Sequence, residues 1–464
     1  MRTSVLWFRR DLRVADNPAL LAAASGQALA LFVLDPALWA PAGPVRRAYL
    51  LRSLRALSQS LGGRLHVRLG DPATLVPQVA AEVDADQVHC AADFGPYGAR
   101  RDAAVDRALD AAGRALVRTG SPYAVAPGRV VKQDGSAYRV FTPFYRAWVA
   151  HGWRGPAPDL PAPVRWVSLG GGAELPAEPD LGALTLPPVG EQAARLRWAD
   201  YRDGALSGYA AQRNRPDLAA TSAMSAALRW GEIHPRTLLA DLADMSDPAA
   251  APADGRHEVF RKELAWREFY ADVLHHSPDS ARQPLRADLA AIAVDTGPGA
   301  DELLQAWQRG QTGYPFVDAG MRQLQSEGWV HNRVRMVVAS FLVKDLHLPW
   351  TAGARWFMQW LRDGDLASNQ HGWQWVAGTG TDAAPYYRVF NPVRQGLTFD
   401  PDGAYVRRYV PELRDVPGPA AHEPWTLPAG PPAGYPDRVV LHEHERAVAL
   451  DRYATATRAA PSGR

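Results

Sequence analysis

Five short apolar runs, at residues 5–8, 28–34, 65–69, 87–92 and 115–118, punctuate the first 130 residues, and every gap between them is long enough for a helix. Runs of four to seven residues are strand length, and the stretch 46–61 between two of them carries leucines at helical spacing. Strands alternating with helices pair in parallel, because a parallel connection needs a crossover. Asp16-Asn17-Pro18 and Asp71-Pro72 set a capping side chain just before a proline, which suits the first turn of a helix. The segment therefore predicts an α/β domain with a doubly wound parallel sheet. No G-x-G-x-x-G follows the first run, so a standard dinucleotide site is not expected there.

Between residues 155 and 189 the composition turns to proline, alanine and glycine, with Gly170-Gly171-Gly172 and Pro187-Pro188. Such a stretch connects domains. Beyond Glu191 the patterning is helical, and eleven of the sixteen tryptophans lie from Trp198 onward. The expected organisation is an α/β domain over 1–130, a linker over 131–195 and an all-helical domain over 196–464.

A chain of 464 residues with 47% apolar content can bury large cores. No run of about 18 apolar residues is free of charge, and the opening MRTSVLWFRRDLR puts arginines where a signal peptide would have its apolar segment. A cytoplasmic, membrane-free monomer is expected. The single cysteine, Cys90, excludes an intrachain disulfide and a cysteine metal cluster, and QVHCAAD around it reads as a buried strand; no metal site is expected. The net charge of +2 does not decide the partner, because a groove that tracks phosphates needs only a local basic patch.

The stretch 363–392, DGDLASNQHGWQWVAGTGTDAAPYYRVFNP, mixes features that a plain core or a plain loop would keep apart. Asp363 and Asp365 flank a glycine, a polar run follows, and Trp373 and Trp375 alternate with a glutamine. The residues alone allow two readings, a helix capped by Asp363 or Asp365 with packing tryptophans, or a lined pocket.

This stretch resembles the flavin- and substrate-binding segment of the photolyase/cryptochrome family, and FRKELAWREFYADVL (260–274), GWVHNRVRMVVASFLVKDL and the opening WFRRDLRVADNPAL match other segments of that family in order. The resemblance is to class I members that repair cyclobutane pyrimidine dimers. It implies light-dependent repair of dimer-containing DNA by an electron from excited, reduced FAD held in the helical domain. A blue-light-sensing cryptochrome without repair activity is the alternative, and the first domain alone would also fit a subunit of an electron-transfer flavoprotein.

Carried over residue by residue, the family's FAD contacts fall on Tyr209, on Thr221, Ser222, Ala223, Met224, Ser225 and Leu228, and on Arg267, Arg335, Asp363, Gly364, Asp365 and Asn369. Asn369 would face flavin N5, where an amide, unlike an acid, does not readily supply a proton. DNA and dimer contacts fall on Arg213, Glu263, Trp266, Asn332, Arg333, Met336, Trp375 and Gln395, with Glu263 stabilising charge on the pyrimidine carbonyl. Asn332 and Met336 stand where enzymes acting on (6-4) photoproducts carry histidines, while His331 reads as structural. Trp373 and Trp350 match the inner and middle members of the family's tryptophan chain, and the outer position falls near Gly297, with Trp307, Trp356 and Trp360 as substitutes. DFGPYGARRD resembles the segment of members that bind 8-hydroxy-5-deazaflavin as antenna, with a folate or a flavin as lesser alternatives. Phe32, Leu34, Asp35, Arg46, Tyr49, Asp93 and Arg229 would line that site.

Overall fold

The computed structural model describes residues 3–245, 256–382 and 387–459. Its first part is a parallel sheet of β1 (Thr3–Phe8), β2 (Gln27–Leu34), β3 (Leu65–Leu69), β4 (Ala85–Cys90), β5 (Ala115–Arg118) and a short β6 (Arg165–Trp166). The order is β3-β2-β1-β4-β5, with β6 paired to the start of β2. Helices α1 (Pro18–Ala23), α2 (Pro36–Trp39), α3 (Pro44–Ser60), α4 (Pro72–Glu82) and α5 (Pro96–Ala111) make the crossovers. Asn17, Asp35 and Asp71 cap α1, α2 and α4 ahead of their prolines.

Alternate residues of β1 and β2 feed two cores, Leu6, Phe8, Ala30 and Phe32 on one face and Val5, Trp7, Leu29 and Leu31 on the other. Burial on both faces is why these strands read as continuous apolar runs rather than alternating ones. The fourth run overshoots its strand: β4 ends at the buried Cys90, and Ala91 and Ala92 leave the sheet to line a crevice. The winding reverses between β1 and β4, the place where parallel sheets open a ligand crevice beyond their carboxyl ends.

The expected linker contains a helix. Within 131–195, α6 (Phe141–His151) sends Phe141, Phe144 and Trp148 into the same core as Trp198, Phe260 and Phe269 of the helical part. Trp148 Nε1 donates to the buried Glu268 at 2.7 Å. Aromatic residues at helical spacing in FTPFYRAWVAH carry this packing, and only the stretch after it has the proline- and glycine-rich composition of a connection.

The helical part comprises α7 (Glu191–Asp203), α8 (Tyr209–Gln212), α9 (Ser225–Trp230), α10 (Pro235–Asp244), α11 (Arg256–His276), α12 (Pro298–Arg309), α13 (Pro315–Glu327), α14 (Asn332–Ser340), α15 (Trp350–Trp360), α16 (Leu366–Ala377), α17 (Pro392–Phe399), α18 (Ala404–Tyr409) and α19 (His442–Ala459). It locks onto the sheet domain through the end of α9. Trp230 packs into the sheet's core, its carbonyl accepts from Leu12 N at 3.2 Å, and Tyr49 donates to Glu232 at 2.8 Å. Gly231, at φ +69°, lies so close that a Cβ would stand 2.0 Å from the Arg10 carbonyl oxygen, so the junction requires glycine. No helix among the described residues is long and apolar enough to cross a membrane.

Candidate active site

The stretch 363–377 contains a capped helix. Asp365 caps α16, accepting from Ser368 N at 3.0 Å. Arg335 of α14 donates to Asp363 Oδ2 at 2.8 Å, while Asp363 Oδ1 is buried with no partner. Asn369, one turn into α16, is 9% exposed and donates to Ala354 O at 3.1 Å and Gln370 Oε1 at 2.8 Å. Trp373 packs onto Gly353 of α15, where a Cβ would stand 2.1 Å from the indole. His371 is fully buried beside Tyr270, and burial pushes its imidazole down to about 4, so it is neutral.

Helix α11 crosses α16 and brings the second group of residues. Glu263 pairs with Arg213 at 2.7 Å, and burial raises its carboxyl above the usual range against the pull of that arginine. Trp266 stacks on Phe141, and Tyr270 lies next to it on the same helix face. Arg267 gives its donors to Pro122 O and Leu228 O at 3.0 and 3.2 Å, bridging both parts of the chain. On α14, His331 is the cap, its Nδ1 accepting from Arg333 N at 3.1 Å, as the structural reading of that histidine expects. Asn332 is exposed at the helix start, Met336 packs on the main helical core, and Arg333 reaches Asn214 Oδ1 at 3.0 Å over the Phe399 ring. Trp375 lines a cleft with Lys344, Tyr387 and Phe390, and Gln395 Oε1 is buried without a partner.

Thr221 and Ser222 do not cap a helix: α9 starts after Met224 with no side-chain cap, while Ser222 Oγ accepts from Met224 N at 3.4 Å. Ala223 sits at φ +50°, a conformation uncommon for a residue with a Cβ, and this turn leaves the helix start uncapped. Tyr209, Met224 and Leu228 are buried in the α11 core, and Ser225 is exposed.

Two family models cover most of the chain. Residues 4–164 match the DNA photolyase model and residues 260–455 the FAD binding domain of DNA photolyase. The chain belongs to the DNA photolyase family. It is 40% identical to the deoxyribodipyrimidine photo-lyase of Halobacterium salinarum, over 97% of this chain and 99% of that one. It is 42% identical to the Streptomyces griseus protein of the same name, over 95% and 96%. Among solved structures it is similar to a bacterial class III photolyase from Agrobacterium tumefaciens, with a TM-score of 0.88 and 37% identity over 99% of this chain and 98% of that one. An archaeal photolyase from Sulfolobus tokodaii, described as holding two FAD molecules with the implication of a novel light-harvesting cofactor, has a TM-score of 0.82 at 26% identity, covering 98% of this chain and 100% of that one.

The residues present fit the FAD of a photolyase. Asp363 Oδ1 is a buried acceptor awaiting a hydroxyl or N–H donor, and burying it unpaired would cost about 1–3 kcal/mol. Arg335 on its other oxygen holds the carboxylate in place.

The antenna residues divide. Arg46 and Arg229 converge on Gly364: Arg229 Nε donates to its carbonyl at 3.0 Å, and a Cβ on Gly364 would stand 3.2 Å from Arg46 Cδ. Burial lowers both guanidiniums, to about 10 and about 9. Asp93 lines the crevice at the sheet's reversal and bonds Arg101 Nη2 at 3.2 Å. Asp35, by contrast, is occupied in capping α2 and in accepting from Tyr97. Phe32 and Leu34 are sheet core, and Tyr49 needs correction: it is sealed between Trp230 and Glu232 with no exposure, so its ring cannot touch a ligand in the crevice.

Sequence reasoning passed over Arg10. It belongs to the matched WFRRDLR segment, but its role is visible only once β1 is known to end at the sheet's reversal point; a charged doublet just after a parallel strand is the signal that could have found it.

Proposed function

We propose that the protein is a deoxyribodipyrimidine photo-lyase that uses light to split cyclobutane pyrimidine dimers in DNA. The observation that carries this is the crossing of α11 and α16, where Tyr270, next to Trp266 on α11, stacks on His371 of the helix that Asp365 caps and that bears Asn369. The relatives at 38–42% identity carry the photo-lyase name, which favours repair over the blue-light-sensing alternative.

When bound and reduced, FAD supplies the light-driven electron that opens the dimer's ring bonds and is then returned. The chain's own residues do the rest. Asp363, held by Arg335, and Asp365, at the start of α16, bind and orient the cofactor. Asn369 presents an amide, which holds no acidic proton to give. Extruding the target base from the duplex costs a few kcal/mol, least where stacking is already damaged. Trp266 and Trp375 offset this by stacking, worth about 1–3 kcal/mol per base. Glu263 contributes near the carbonyl of the extruded base, and its raised affinity for a proton suits a group that stabilises charge developing there. Arg213, Arg333 and Gln395 contact the DNA strand. The crevice lined by Asp93, with Arg46 and Arg229 nearby, takes an antenna of the 8-hydroxy-5-deazaflavin type, an acidic ring system that these guanidiniums complement.

The deciding experiment is an absorption spectrum of the purified protein followed by blue-light assays on oligonucleotides carrying each lesion. Flavin bands and repair of cyclobutane dimers are expected, with no repair of (6-4) photoproducts. Absence of flavin, or repair of the (6-4) lesion alone, would overturn the reading.

A further inference from the structure

Arg10 stands at the junction of two sites. It leaves the end of β1, lines the crevice beside Asp93, and extends its Nη2 to within 2.6 Å of Asp365 Oδ2, a residue 355 positions later in the chain. The other oxygen of Asp365 is occupied by the α16 cap, so Arg10 holds the oxygen that remains, with Arg229 Nε farther off at 3.9 Å. The backbone of Arg10 cannot drift, because Gly231 presses on its carbonyl and Leu12 is tied to Trp230. Its Nε is buried without a partner, and the Tyr123 hydroxyl is a further polar group against the guanidinium.

We propose that Arg10 is a positioning residue that fixes Asp365 for the flavin and thereby couples the crevice at the sheet's reversal point to the FAD site. The inference rests on the reading of Asp365 as an FAD contact. Arg10 holds Asp365 directly, and its charge also acts on Asp93 across the crevice, where Arg101 makes that carboxylate's own ion pair at 3.2 Å. A change at either carboxylate therefore alters what the other receives. Coupling of this kind is reciprocal: whatever the crevice does to FAD affinity, FAD does equally to the crevice. Through the cap, the same contact also sets the position of α16 and hence of Asn369 and Trp373.

The test compares the FAD dissociation constants of the parent, Arg10→Met, Arg10→Lys, Asp93→Asn and the double variant Arg10→Met/Asp93→Asn, with melting of each FAD-free protein as a folding control. Arg52→Met, which removes a partly exposed ion pair with Glu178, controls for the loss of an arginine. Arg10→Met is expected to weaken FAD binding about tenfold and to displace the flavin midpoint potential, while Arg10→Lys recovers most of the affinity and Arg52→Met has no effect. Asp93→Asn is expected to change FAD affinity about threefold in the parent and not at all in the Arg10→Met background. Unchanged FAD affinity in Arg10→Met, or an Asp93→Asn effect of equal size in both backgrounds or absent from both, overturns the proposal. A parent that binds no FAD instead sinks the functional reading on which it rests.

Discussion

Phe141 lies flat against Trp266, with ring centroids 3.7 Å apart and planes within 8° of each other. One face of the indole is thereby held by α6, and only the other is available to an extruded base. Trp266→Ala is expected to weaken binding of a dimer-containing oligonucleotide by about 1–3 kcal/mol, the worth of one stacked base. Phe141→Leu should give a smaller loss, since it loosens the indole without removing it. Fluorescence anisotropy titrations of the two variants check this; equal, undiminished affinity would remove Trp266 from the binding surface.

Asp363 offers a test of the flavin site that does not depend on repair. Asp363→Asn removes the charge that Arg335 pairs with, and hydrogen bonds to charged groups are worth about 1.5–3 kcal/mol each. The variant should fold and lose FAD on gel filtration under conditions where the parent keeps it. Retention of a full flavin complement would place the cofactor elsewhere.

The tryptophan chain expected from the resemblance would lack its outer member. Gly297 stands at the start of α12 with nothing within 4 Å of a would-be Cβ, so no aromatic fills the outer position there. Trp373 meets Trp307 edge-on at 6.0 Å, but Trp307 is wholly buried, whereas Trp356 and Trp360 form a partly exposed pair 5.8 Å apart. Flavin photoreduction with an external reductant should slow in Trp350→Phe and in at least one of Trp307→Phe, Trp356→Phe and Trp360→Phe. Repair by chemically reduced enzyme should persist in all four. An unaffected Trp350→Phe would show that the electron takes another path.

His331 gives the fold an acid limit. Burial pushes its imidazole down to about 4 from an ordinary 6.5, so the folded state stays neutral where the unfolded chain takes up a proton. The contribution to stability is therefore complete above about 6.5 and is lost as pH falls toward 4, amounting to about 2 kcal/mol between pH 7.5 and 5. His331→Asn keeps an acceptor for the Arg333 N–H and removes the titration. Urea melts at the two pH values should show a smaller difference in this variant than in the parent; an identical pH dependence would clear His331.

The sheet was legible because its strands are buried on both faces and announce themselves as apolar runs, and Asn17 and Asp71 cap the helices their prolines suggested. Asp365 was legible as a cap, because a carboxylate just ahead of a helical run accepts from the first turn. What was not legible depends on neighbours distant in the chain. Tyr49 looks available in sequence and is sealed by Glu232, 183 positions on. Helix α6 was merged into a linker because its partners, Phe269 and Trp266, lie more than a hundred residues away. Thr221 and Ser222 fit the composition of a cap, and the turn at Ala223 diverts them from it.

The connection between the two parts also has work of its own. Where it returns along the sheet, β6 pairs with the start of β2 and Ala173 N donates to Val67 O at 2.8 Å, so the chain covers the flank on which β3 would otherwise offer open backbone groups. Uncovered strand flanks recruit strands from other molecules. A protein nicked in this connection should keep its helical half folded yet begin to self-associate through the sheet, which makes the proline-rich segment a guard against aggregation as well as a tether.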